Sequence, residues 1–248
     1  TTGDNNVAVG FAALDANTTA ANNTAIGSQA LTATTTGSNN TAVGQDAGLA
    51  ITTGAHNVTI GTKSQITNTT GNYNVSLGKE SLKLLTTASN NTALGYVTLQ
   101  ANTTGHSNAA MGSGALQANT EGHSNTALGF EAMKANTTAD YSVGIGIQAL
   151  KTEATSGSNV AIGGLSMMTS NGASNNVAVG KQTGYLHTTG DKNAWVGSNS
   201  GFNSTTSSNN AGLGYTSLYS CTTGSELVGI GPQTLYSATT AVSCIAIG

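Results

Sequence analysis

His106 and His123 stand 17 residues apart, and two imidazoles brought side by side begin a metal site. A zinc shell takes four ligands, and no cysteine or carboxylate recurs at a spacing that would supply the others. The pair therefore reads as two turn histidines. With His56 and His187 they are the four histidines of the chain. None falls into a repeated Ser-His-Asp arrangement, and no carboxylate pair recurs. The glycines are spread singly, so they form no phosphate loop ahead of a helix. The repeated aspartate of calcium-binding rolls is missing. Cys221 and Cys244 occupy different places in the pattern described below, so stacking does not bring them together, and they read as isolated thiols. Neither catalysis nor a cofactor nor a metal is expected.

Aromatic residues offer a binding chemistry instead. Tyr185, Phe202, Tyr219 and Tyr236 follow one another at intervals of 17, with Trp195 among them. Tyr185 and Phe202 are expected to fill the interior. Trp195, Tyr219 and Tyr236 are then the candidate contacts for a sugar face or a partner surface, with a local widening of the chain around Trp195 as the structural alternative. Columns of threonine raise ice binding as a further possibility, although their neighbours vary too freely to make a regular template.

All these residues sit in one repeat. Glycine recurs from Gly10 to Gly248 every 17 residues, fifteen times, without insertion or deletion. A strict short period means a stack of similar units, each touching its neighbours, and it overrides the expectation of one or two globular domains that 248 residues would raise. The chain reads as a single array over 1–248, a piece of a longer fibre, since both ends fall inside a unit. We number positions within the repeat as slots 1 to 17, with Asn5 in slot 1 and the glycine in slot 6.

Composition narrows the partners. Charged residues are 7%, the formal net charge is −3, and all seven basic residues are lysines. Nothing here would draw nucleic acid or an anionic membrane. No apolar run approaches the roughly 20 residues of a membrane span, and no signal peptide is visible.

Seventeen residues are too few for a helix pair and suit a coil of two short strands and two turns. Slots 3 to 5 alternate branched, small and branched residues, a strand pattern. The larger residues of slots 3 and 5 are expected to point into the coil with Leu or Met of slot 10. Slot 4 is small in fourteen of fifteen coils and is expected to face outward. Charge avoids slots 2–6, 9, 10, 12, 14 and 16, which suggests that all of them are covered. A covered outer slot 4 would need another backbone close by, and so an oligomer. Where slot 10 is Gly48, Gln65, Gly184 or Gly201, the next residue is large and apolar, so a one-residue shift is expected to keep the core filled. Slot 2 is asparagine in twelve of fifteen coils. Asn6, Asn23, Asn40, Asn57, Asn74, Asn91, Asn108 and Asn125 are expected to form a ladder, each amide bonding the next. Thr-Thr in slots 14 and 15 followed by Gly or Ala reads as a turn, with slot 14 inward and slot 15 outward.

Ser158-Asn159-Val160-Ala161-Ile162-Gly163 and Ser243-Cys244-Ile245-Ala246-Ile247-Gly248 resemble the S-V-A-I-G motif of trimeric autotransporter adhesin heads. The whole chain is also similar to the N-T-A-[VIL]-G-x-x-A-L arrays of phage tail fibres and of bacterial hemagglutinin-like proteins. Family heads repeat every 14 or so residues, so slots beyond 10 do not map onto them. The resemblance implies an all-β, left-handed parallel β-roll, here about 15 coils of 17 residues, wound as a homotrimer. It implies an extracellular place, on a virion fibre or a bacterial surface, and a role in attachment to a host glycan or receptor. An ice-binding solenoid and a carbohydrate-binding module are the rival expectations.

Overall fold

A computed structural model describes residues 2–248. The chain divides into two compact units, Thr1–Ser124 and Asn125–Gly248. Among the described residues there is no helix, and fifteen strands of three residues run in chain order from β1 (Val7–Val9) to β15 (Ile245–Ile247). Each unit is a parallel β-solenoid, and together they carry about fourteen turns. Residues one repeat apart lie opposite one another: Val7 against Thr24 and Ala8 against Ala25 in the first unit, Ala178 against Trp195 in the second.

Each coil holds one strand, not the two that the pattern predicts. The rest is turn, because slots 1, 8 and 10 adopt left-handed backbone, as at Asn22 (φ 61°), Gln29 (φ 59°) and Leu31 (φ 50°). A second run of extended residues cannot form where left-handed residues alternate with others. A leucine in that region costs about 1–2 kcal/mol, and hydrogen bonds between coils hold it there, as from Leu31 N–H to Ala47 C=O at 3.0 Å. The slot 6 glycine has a different reason to recur. Gly27 sits at φ 135°, and a Cβ there would lie 2.4 Å from the carbonyl oxygen of Gly44. Any side chain would strike the glycine of the next coil.

The side-chain alternation is the reverse of the one predicted. Ala25 of slot 4 is fully buried, while Ile26 of slot 5 is 39% exposed. Slots 3 and 5 look outward in strand after strand, and slot 4 points into the coil's own interior. The physical reason is width. The interior of one coil has room for a single large side chain, and slot 10 supplies it: Leu31, Leu82, Leu99, Leu116, Met133 and Leu150 are buried completely. The residue facing that side chain must be small. At Gly144 a Cβ would already come within 2.7 Å of Met133 Cγ. Slot 4 therefore packs against slots 9 and 10 of its own chain, and its small size carries no information about a neighbouring chain.

Gaps in slot 10 are filled without the predicted shift. Gly48 keeps the left-handed backbone of the other coils, at φ 61°, and the space it leaves is taken by Ile51 of slot 13. Gly184 and Gly201 leave space for Trp195. Gln65 stays in place, fully buried, with its amide donating to Ser76 Oγ at 2.8 Å.

Candidate functional site

Trp195 is no contact residue. It occupies slot 4, points inward and is 1% exposed, so the predicted surface role is overturned. Its ring meets His187 edge-on, with centroids 5.0 Å apart and planes at 73°. Tyr219 and Tyr236 belong to a ladder. Tyr185, Phe202, Tyr219 and Tyr236 stack in sequence at centroid distances of 5.1, 5.2 and 4.9 Å. Their faces lie largely against one another, with Tyr236 the most open of the four.

The asparagine column is brought together within each unit. Asn23 N–H donates to Asn6 Oδ1 at 2.9 Å, Asn40 N–H to Asn23 Oδ1 at 2.8 Å, and Asn57 N–H to Asn40 Oδ1 at 2.9 Å. Asn74, Asn91 and Asn108 continue it, each through its N–H to the preceding Oδ1. Each side-chain amide also reaches the slot 16 carbonyl of its own coil, as Asn23 Nδ2 does to Gly37 at 3.0 Å. In the second unit Asn125 Nδ2 donates to Ala139 C=O at 2.7 Å and its Oδ1 accepts from Ser142 N–H at 2.9 Å. The column serves the backbone at a buried corner and presents nothing to solvent.

Slot 13 is a second buried corner, which the sequence reading missed. Its side chain clasps the Thr-Thr turn three residues on: Asn68 Oδ1 accepts from Gly71 N–H at 2.9 Å, and Asn102 Nδ2 donates to Gly105 C=O at 2.8 Å. Slot 14, predicted to face inward, is half-exposed instead, as at Thr35 and Thr188, because slot 13 already takes the inward place. The slot 14 hydroxyls donate along their own column, Thr18 to Thr35 C=O at 2.9 Å and Thr205 to Thr222 C=O at 3.0 Å. Of the Thr-Thr pair, the slot 15 hydroxyls are the ones that face solvent, as at Thr36 and Thr189.

Three ionisable groups lie in the slot 13 corner, Glu153, His187 and Cys221. Glu153 is fully buried, with Ser170 Oγ donating to its Oε2 at 2.7 Å and Ser156 Oγ to its Oε1. Burial pushes its carboxyl above the usual carboxylate range, against the pull of those serines. His187, also fully buried, has its Nε2 at 2.6 Å from Gly190 C=O. Burial brings its imidazole down to about 4. Cys221 is buried and Cys244 exposed, and both thiols are free. His106 and His123 stack with centroids 4.8 Å apart, and each Nδ1 is paired with the following serine hydroxyl, Ser107 at 3.3 Å and Ser124 at 3.4 Å. Among the described residues no group of three or more His, Cys, Asp or Glu is placed to hold a metal ion, and no helix is long and apolar enough to cross a membrane.

What the surface offers is an apolar stripe on the outer face of the sheet. In the first unit Ile26, Leu77 and Met111 stand out of it, and in the second Leu128, Ile162, Val177, Val196, Leu213 and Ile230. Aromatic residues of slot 7 flank the stripe, with Tyr96, Phe130 and Tyr215 each at least half exposed. No family model, curated protein or solved structure matches this chain.

Proposed function

We propose that this chain is a segment of a surface-displayed attachment fibre, on a virion or a bacterial cell, built from several copies lying side by side. The observation that carries the reading is the stripe of slots 3 and 5. A soluble surface seldom leaves a long contiguous apolar band uncovered, and here the band repeats with every coil. A neighbouring copy carries the same band at the same spacing, so two or three copies can cover one another along their length. The reason for an oligomer thus moves from slot 4, which the chain buries by itself, to slots 3 and 5.

The resemblance to adhesin heads and tail fibres supports a left-handed roll of 17-residue coils, three chains and an extracellular place. Attachment is the role that such a scaffold suits, since its outer turns can vary while the coil interior stays constant. Sedimentation of the purified chain tests the assembly. The expected species is three times the 24.5 kDa of one chain. Ile162→Lys together with Val196→Lys should release monomers that keep their β signature in circular dichroism. A wild-type chain that sediments as a stable monomer overturns the reading.

A further inference from the structure

Slots 14 and 15 are each threonine in twelve of fourteen coils, but one coil reads Asn171-Gly172 there, and nowhere else in the chain does glycine follow asparagine. Both residues are exposed. Such a dipeptide can close on itself: the backbone nitrogen of the second residue attacks the side-chain carbonyl carbon of the first, and glycine puts no side chain in the way. The attack is slow because a backbone N–H gives up its proton reluctantly. Here the fold supplies a path for that proton. In other coils the slot 15 N–H donates to the slot 14 carbonyl one coil on, as Thr36 does to Thr52 at 3.3 Å and Thr189 to Thr205 at 3.2 Å. Gly172, at φ 105°, turns its N–H the other way, to Ser156 Oγ at 2.9 Å. Ser156 stands in slot 16, where glycine or alanine is usual, and its hydroxyl donates to Glu153 Oε1. A buried carboxyl, a hydroxyl and the Gly172 nitrogen thus form one chain of hydrogen bonds. The Asn171 carboxamide has no hydrogen-bond partner among the described residues, so it can rotate toward that nitrogen.

We propose that Asn171-Gly172 is a self-modifying site, at which Ser156 and Glu153 draw the proton from the Gly172 nitrogen and Asn171 becomes aspartate or isoaspartate. As the Gly172 N–H passes its proton to Ser156 Oγ, Ser156 passes its own to the Glu153 carboxylate. The Gly172 nitrogen bonds to Asn171 Cγ. The Cγ–Nδ2 bond breaks, and the proton returned from Glu153 leaves with the amide nitrogen as ammonia. Water then opens the cyclic succinimide at either of its carbonyls. Ser156 touches the reacting nitrogen, and Glu153 acts through it. Burial, which holds the Glu153 carboxyl above the usual range, makes its carboxylate a stronger base than an exposed one. Facing it are the Ser156 and Ser170 hydroxyls and the Asn159 amide, none of them charged. The aspartate product puts a charge into slot 14, which charge otherwise avoids. Isoaspartate lengthens the backbone beside the bond from Asn171 N–H to Thr188 C=O at 3.0 Å. Either product marks the outer turn of this coil permanently. The reaction is intramolecular and does not depend on how copies assemble.

Peptide mapping by mass spectrometry of the full chain, held in warm neutral buffer, tests it, with an isoaspartate methyltransferase assay for the second product. Asn171 should convert ahead of every other asparagine. Ser156→Ala and Glu153→Gln should each slow the conversion at least tenfold in the folded chain. Neither should change the rate in concentrated urea, where the hydrogen-bond chain is gone. Both variants should melt as folded proteins, since slot 16 is alanine in other coils and glutamine keeps the serine contacts. Gly172→Thr, which restores the usual slot 15 residue, should stop the reaction. The wild-type rate should level off above the pH at which Glu153 loses its proton, whereas the residual reaction of Glu153→Gln should keep rising with hydroxide. An Asn171 that stays intact, equal rates in the wild type and the two relay variants, or faster conversion in Ser156→Ala, which would make that hydroxyl a guard on the nitrogen, overturns the proposal.

Discussion

Trp195 fills the space that Gly201 leaves. A Cβ at Gly201 would stand 2.6 Å from the indole Nε1, and one at Gly184, on the other side, 2.9 Å from Cζ3. The two slot 10 glycines and the slot 4 tryptophan are one packing unit. Trp195→Ala should cost about 3–5 kcal/mol. Gly201→Leu should also destabilise while Trp195 is present, because two large groups would compete for one space. Combined, the two substitutions should cost less than their sum, which a double-mutant cycle in denaturant would read as a coupling of about 0.5–3 kcal/mol.

The orientation of the strands makes a simple contrast. Ala25→Leu should overpack the coil at a cost of about 1–3 kcal/mol. Ile26→Thr, one residue on, should leave the fold of the isolated chain nearly unchanged and weaken self-association instead. Thermal melts and sedimentation on the two variants distinguish the effects, and the reverse pattern would place slot 5 inside.

The asparagine column is tested at Asn57. Its Oδ1 accepts from Asn74 N–H at 3.0 Å, and its Nδ2 donates to Gly71 C=O at 2.9 Å. Asn57→Ala leaves both groups buried without that partner, at about 1–3 kcal/mol each. Asn57→Leu should do no better, since the backbone groups remain unsatisfied. Hydrogen exchange at Asn74 N–H should quicken in both variants.

Glu153 should make the second unit less stable as pH rises. Its folded carboxyl holds its proton above the ordinary value of 4.5, so the unfolded chain loses that proton first. Stability is full below about pH 4.5 and falls as pH climbs through the raised folded value. Glu153→Gln should keep the serine contacts, raise the melting temperature at neutral pH and flatten this slope. An unchanged slope would show that the carboxyl does not report its burial.

His187 should act in the opposite sense. Its folded value of about 4 lies below the ordinary 6.5, so the unfolded chain takes up a proton first as pH falls. Stability from this group is complete above about pH 6.5 and declines between 6.5 and 4, by up to about 3 kcal/mol. His187→Asn, the commonest residue in slot 13, should remove this acid sensitivity. The fluorescence of Trp195, whose ring lies against His187, would follow the transition in the parent chain.

The 17-residue period, the parallel coils and the asparagine column were legible in the sequence, because a repeat places equal residues in equal surroundings and hydrogen bonds between coils demand it. The inward face was not. Branched residues in slots 3 and 5 look like core by size alone, whereas the width of a single coil admits one large side chain and gives that place to slot 10. A signal for this was present: Trp195 between Gly184 and Gly201, and Gly144 beside Met133, show slots 4 and 10 trading volume across one interior. Sequence by itself determined that the coils stack, through backbone and amide pairing that any faithful repeat enforces. Which residues face the solvent was decided only by the closure of each coil, where steric room and not hydrophobicity sets the direction of every side chain.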